Sequence, residues 1–289
     1  ATLVFGVMAL SDGDALVAQL KTLEGPEKNL MLDQLAARVI VPYLGMAAIL
    51  FAIGLMIKLS RLPEIDPNEN NAGNIKDEFS NRKSIFQFPF LLLGVVAIFC
   101  DVGLEIIAGD TIISYGISQG IPIALARHFT SFTMIASIIG YLVGIITIPK
   151  YISQHNALKI CAILGTVLTI AAIVSPRMIS VLFIASLGMA NALIWPAVWP
   201  LAIEGLGRFT GIGSSLLIMG NLGGALLPLL YGRLADIMDP RTAYFILIPC
   251  YFFVLYYASR GYKVGRYNPR HDIHALDENL LVKSDNFIK

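Results

Sequence analysis

Six apolar segments follow one another between residues 86 and 259, each long enough to cross a bilayer and each joined to the next by a short connection. They fall near 86–115, 129–149, 157–175, 179–204, 211–235 and 242–259, with links as brief as SPRM at 175–178 and DPRT at 239–242. A further run, IVPYLGMAAILFAIGLMIKL, precedes them from Ile40 to Leu59. At 1.5 Å rise per residue, about 20 residues span a hydrocarbon core roughly 30 Å thick. Inside hydrocarbon every backbone N–H and C=O must find a partner within the chain, so a span is a helix or a strand of a closed barrel. None of these segments sustains the period-two alternation of a barrel strand. The predicted fold class is therefore all-α, a polytopic membrane protein. Composition agrees: apolar residues make up 56% of the chain, charged residues 14%, and mean hydropathy is +0.71. A soluble domain carries about 25% charged residues, and here there is too little polar material to cover a surface.

The polar stretches divide the chain. ATLVFGVMAL at the start lacks both an initiator methionine and the basic region of a signal peptide. It reads as the tail of an interrupted apolar helix, with Ala1 an internal residue of a longer protein. Residues 11–39 read as an extramembrane loop with short helices. Ser60 to Ser84, with two prolines, five asparagines and mixed charge, reads as a linker. The expected division is 1–60 as the end of a preceding bundle, 61–85 as linker, 86–260 as a six-helix bundle and 261–289 as a tail. If the linker is cytoplasmic and each span flips the side, fourteen of the 21 Lys and Arg lie on the cytoplasmic side. The positive-inside rule favours that orientation, with linker and C-terminal tail cytoplasmic. A net charge of +1 gives no field for nucleic acid. Cys100, Cys161 and Cys250 are scattered through apolar runs, which argues against a disulfide frame and against a zinc site.

Within this apolar background a few polar side chains stand out. The stretch FCDVGLEIIAGDTIISY, Phe99 to Tyr115, carries Asp101, Glu105 and Asp110. A carboxylate near the bilayer centre costs at least about 2.5 kcal/mol, so such a helix needs a cavity, a ligand or a partner to face. On a helix Asp101 and Glu105 lie on one face, about 40° apart, and Asp110 about 140° further round. Glu105 reads as the cavity-facing acid and Asp101 as its neighbour in a coupled pair, one of them protonated. Asn191, Trp195 and Trp199 recur at four-residue spacing and are expected to form one stripe, with Pro196 and Pro200 inviting a kink. An amide beside indole faces suits a sugar, whose hydroxyls want paired donors and acceptors and whose C–H face stacks on rings. Gly211, Gly213, Gly220, Gly223 and Gly224 are expected to let helices approach closely. Asn221 sits among them as a further candidate ligand, and Arg233 with Asp236 is a candidate salt bridge. GNLGG is no phosphate loop, since neither strand nor lysine accompanies it. His271 and His274 in the tail make a weak metal motif, and no metal site and no nucleophile–His–acid set is expected.

The stretches DVGLEIIAGDTIISYG at 101–116, NALIWPAVWPLAIEGLGRFTGIGSSLLIMGNLGGALLPLLYGRLAD at 191–236, and the 39–60 span with its linker resemble the major facilitator superfamily. More narrowly, they resemble its fucose permease and glucose/galactose transporter branch of sugar–proton symporters. The resemblance covers nearly the whole chain except the tail, and implies the C-terminal portion: the end of helix five, helix six, the linker and helices seven to twelve. It implies a two-bundle transporter working by alternating access, its C-terminal bundle built of two inverted three-helix repeats. Glu105 resembles an acid common in the glucose/galactose-type members. GIITIPKYISQHNA at 144–157 resembles the family's loop motif between helices eight and nine; Lys150 stands near its basic position, but the motif's acid is absent. The family's main proton-coupling carboxylates belong to the N-terminal bundle, which this chain lacks and would need as a partner.

The expected function is symport of a hexose or 6-deoxyhexose, driven by a proton or other cation, in a bacterial inner membrane. Glu105, Asp110, Asn191, Trp195, Trp199 and Asn221 are the expected sugar ligands; Glu105 and Asp101 are the proton-coupling candidates. No cofactor is expected, and the partners are sugar, lipid and the N-terminal bundle. The alternatives are a transporter of another small solute, or an intramembrane enzyme using the paired carboxylates. The absence of a mid-span Lys or Arg in 86–115 and 179–204 argues against an anionic solute.

Overall fold

A computed structural model of the chain describes residues 26–60, 84–148 and 150–266. Among the described residues all regular structure is helical, and seven helices are long and apolar enough to cross a membrane. We number the spans α1 (Pro26–Leu59), α2 (Pro89–Asp110), α3 (Ile123–Thr147), α4 (Gln154–Val174), α5 (Arg177–Ile203), α6 (Gly207–Ile237) and α7 (Pro240–Ser259). The helix remnant expected before residue 11, the linker core at 61–83, and the tail with His271 and His274 lie outside the described residues.

One expectation fails in α1. Residues 26–39 are not a loop with short helices; they are the opening turns of one helix that continues through Pro42 to Leu59. Pro26 opens it, Glu27 sits in the first turn, and the following Leu, Met, Gln and Ala residues are strong helix formers. No residue of Pro42–Leu59 is buried, and Leu44, Leu50, Phe51 and Leu59 stand exposed.

The other six spans form a bundle around α2. It packs against the second half of α5, against α6 and against α7; α3 lies on the first half of α5, and α4 on α5 and α7. Glycine sets the closest approaches. A Cβ at Gly223 would sit 1.8 Å from the Phe99 carbonyl oxygen, and one at Gly188 2.2 Å from that of Thr133. Small residues thus let α6 meet α2, and α5 meet α3, nearly backbone to backbone. Gly213, Gly220 and Gly224 meet neighbours as expected, whereas Gly211 faces open space and contributes no such contact. Large apolar side chains such as Ile145, Val174 and Ile237 point outward, as lipid-facing residues do.

The two ends of the bundle are pinned differently. At one end the chain turns back after α7, where the Arg266 guanidinium donates to Glu204 Oε2 at 2.6 Å and to the Leu201 carbonyl, and lies 4.9 Å over the Phe90 ring. The His155 ring stacks on Tyr262 at the same end. At the other end Tyr115 bonds Ser180, Arg241 donates to Gln119, and Asp239 caps the start of α7 by accepting from the Arg241 and Thr242 amides. The first end carries Lys150, Lys159, Arg208, Arg260, Lys263 and Arg266 against Glu204; the second carries Arg127, Arg177, Arg233 and Arg241 against Asp110, Asp236 and Asp239. Arg233 and Asp236 form no ion pair with each other; the salt bridge among the described residues joins Arg266 to Glu204.

Candidate functional site

Proline shapes the centre of α5. Pro196 has no N–H to give the carbonyl four residues earlier. The helix accordingly stops at Asn191, turns through Ala192 and Leu193, and restarts at Ile194. Burial divides the expected Asn191–Trp195–Trp199 stripe. Asn191 ends up buried inside the bundle, while Trp195 is exposed and stacks on Trp199, ring centroids 4.9 Å apart and planes 29° off parallel. The two indoles alone form the aromatic platform.

The paired acids of α2 separate in the same way. Asp101 is 1% exposed, whereas Glu105, one turn on, stands on an uncovered part of the helix. Around Asp101 lie Cys100 and Glu105 on α2, Tyr141 on α3, Cys161 on α4 and Tyr251 on α7, all within electrostatic reach. None of these groups is basic. Tyr251 is wholly buried and donates its hydroxyl proton to Asn191 Oδ1 at 2.6 Å. Its ring lies over Gly165, where a Cβ would be 2.1 Å from Cε1. Two polar atoms in this neighbourhood are left without a partner: Asp101 Oδ1 and Asn191 Nδ2. Buried polar atoms are nearly always paired, so two orphans in one cluster mark a place built for something further.

Glu105 is exposed where Asp101 is sealed. Tyr141, on α3, lies within its electrostatic reach. Tyr141 also lines a cavity of about 250 Å³ between α3 and α5, together with Gly144, Leu193, Pro196, Ala197 and Gln154. Tyr141 and Gln154 were not singled out from the sequence. The readable signal was a hydroxyl-bearing ring in the middle of the apolar run SIIGYLVGII. Asp110 and Asn221 are both exposed, Asp110 at the end of α2 and Asn221 in the short turn Gly220–Leu222 that interrupts α6. No hydrogen bond or ion pair ties either to the other candidates. Among the described residues no group of three or more His, Cys, Asp or Glu is placed to hold a metal ion.

The arrangement is a helical bundle with an acid on an uncovered face, a second acid sealed inside, and a cavity and indole pair on one proline-broken span. Comparison with solved structures shows this fold to be that of a major facilitator superfamily protein. The crystal structure of a transporter of that superfamily, FucP, in the outward conformation matches 87% of this chain and 60% of its own, with a TM-score of 0.65 at 21% identity. A structure of the Escherichia coli fucose:proton symporter matches 91% of this chain and 66% of its own, with a TM-score of 0.66 at 20% identity.

Sequence relatives point the same way and bear out the narrower resemblance. The glucose/galactose transporter of Brucella abortus is 26% identical over 225 residues, covering 77% of this chain and 53% of the relative. The putative glucose/galactose transporter of Helicobacter pylori is 27% identical over 244 residues, covering 81% and 57%. The L-fucose-proton symporter of E. coli is 23% identical over 198 residues, covering 68% and 45%. The chain thus spans about half the length of the curated relatives it matches, consistent with a C-terminal portion. No protein-family model matches it. The chain is a multi-pass membrane protein, and its relatives are named for transport rather than for an enzymatic reaction, which sets the intramembrane-enzyme alternative aside.

Proposed function

We propose that this chain is the C-terminal part of a sugar symporter that moves a hexose or 6-deoxyhexose across the membrane by alternating access. The observation that carries the reading is Glu105, an acid on an uncovered face of the central span α2, within electrostatic reach of Tyr141, which itself lines the cavity between α3 and α5. An acid in that position is costly unless it meets a solute or a proton. The names of the relatives support a sugar as solute and, for the fucose branch, a proton as coupling ion. Trp195 and Trp199 supply a ring platform for a sugar's C–H face, and Tyr141 with Gln154 supply hydroxyl and amide partners. Asp110 and Asn221 are more remote candidates on exposed backbone. Proton binding at Glu105 biases the inward/outward equilibrium by its differential affinity for the two states.

The six-to-one excess of basic over acidic residues at the end carrying Lys150, Glu204 and Arg266 supports placing that end, the linker and the tail in the cytoplasm. In the full-length protein, Glu105→Gln is expected to abolish sugar accumulation against a gradient while leaving membrane insertion intact. Unchanged accumulation in that variant contradicts the assignment of Glu105.

A further inference from the structure

Besides the acid on the uncovered face, α2 carries a second acid sealed inside the bundle. Asp101 is as buried as any core residue, and so are Asn191 and Tyr251 beside it. The titratable groups facing Asp101 are Glu105 and Cys100 on α2, Tyr141 on α3, Cys161 on α4 and Tyr251 on α7, with Cys250 next to Tyr251. No lysine, arginine or histidine is among them. An ionised carboxylate left in that place has neither a counter-charge nor a full set of hydrogen bonds, an arrangement that costs several kcal/mol or more. Of the neighbouring donors, the Tyr251 hydroxyl is committed to Asn191 Oδ1, and Asn191 Nδ2 reaches no acceptor.

We propose that Asp101, with Asn191 and Tyr251, forms an internal proton-holding site of the C-terminal bundle, distinct from the solute-facing acid Glu105. In the resting state Asp101 carries the proton as a neutral carboxyl group. When the bundle opens towards one side, Asp101 passes the proton to the Glu105 carboxylate one turn away or to entering water. The resulting Asp101 carboxylate is then met by Asn191 Nδ2–H, the donor that is spare in the closed cluster. No electron moves, and one O–H bond breaks as another forms. The site deepens the proposed symport and rests on it only for what the stored proton is used for.

The test is infrared difference spectroscopy of the full-length protein in lipid nanodiscs, titrated through neutral pH. The expected result is a protonated-carboxyl C=O band at neutral pH that vanishes in Asp101→Asn and persists in Glu105→Gln. If Asp101→Asn retains every such band of the parent protein, Asp101 is ionised and the proposal fails. Should Asp101→Asn not insert, Tyr251→Phe keeps the ring and removes the hydroxyl. It is expected to move the band and shift its midpoint by about one pH unit, a tenfold change in proton affinity; an unmoved band and midpoint overturn the site. Sugar counterflow in Asp101→Asn is expected to persist while accumulation is lost. A parent protein that shows the band but moves no sugar refutes the symport reading alone.

Discussion

Gly165 on α4 offers the sharpest structural test, because its effect can be worked from one distance. The Tyr251 ring covers it so closely that the methyl of Gly165→Ala would sit 2.1 Å from Cε1, where ordinary contact begins near 3.4 Å. The ring must retreat by about 1.3 Å, which carries the hydroxyl beyond bonding distance of Asn191 Oδ1, now 2.6 Å away. Overpacking of a tight core costs about 1–3 kcal/mol. The lost hydrogen bond adds about 0.6–1.7 kcal/mol in a membrane protein. Together Gly165→Ala should destabilise by about 2–5 kcal/mol. Reversible unfolding of the full-length protein in mixed detergent micelles measures this, with Tyr251→Phe alone expected to lose only the hydrogen-bond part. The decisive arm is the double variant: in a Tyr251→Ala background the clash has no partner, so Gly165→Ala should cost less than about 1 kcal/mol further. Equal costs in the two backgrounds would refute the claim that Tyr251 is what the glycine accommodates.

Other perturbations have defined outcomes. Trp195→Ala removes half of the stacked indole pair and should raise the half-saturation concentration for sugar, leaving protein level in the membrane unchanged; an unaltered value takes Trp195 out of the site. Arg266→Ala loses a charged hydrogen bond to the Leu201 carbonyl and the face of Phe90, so it should cost about 1.5–3 kcal/mol. Glu204→Gln touches only the exposed half of the ion pair and should cost less than about 1 kcal/mol; the reverse order in unfolding experiments would contradict that division. Asp239 sits outside the spans, where the Thr242 hydroxyl, the Thr242 and Arg241 amides and the Arg241 charge hold its carboxyl below the usual range. A depressed carboxyl contributes stability above its unfolded value and loses it as pH falls through the folded one. Asp239→Ala should therefore weaken the start of α7 by about 0.5–2 kcal/mol at neutral pH and less in acid; a penalty that grows in acid would contradict the cap.

The number and order of the spans were readable because hydrocarbon leaves a backbone few options; from α2 to α7 their ends fall within six residues of the expected ones, whereas α1 begins fourteen residues before Ile40. The linear pattern was less informative where proline intervened. Four-residue spacing put Asn191 with the tryptophans, but Asn191 is buried where Trp195 is exposed, and only the hydrogen bond from Tyr251 reveals its partner. Likewise 40° of helical arc joined Asp101 to Glu105 on paper, yet that is enough to bury one and leave the other exposed. Gly211 was legible as small but not as unopposed. In residues 26–39 polarity was mistaken for a loop, although the same residues are strong helix formers. Tyr141 and Gln154 gave too little signal to choose them before the cavity between α3 and α5 was seen.

The most direct test of the account is accumulation of labelled L-fucose, D-glucose and D-galactose by cells or vesicles carrying the full-length protein, at two external pH values, with and without a protonophore. The account predicts that at least one of these sugars accumulates intact, more strongly at the lower external pH, and that the protonophore abolishes the gradient. Accumulation of none of them, or accumulation indifferent to both pH and protonophore, would contradict proton-coupled sugar transport.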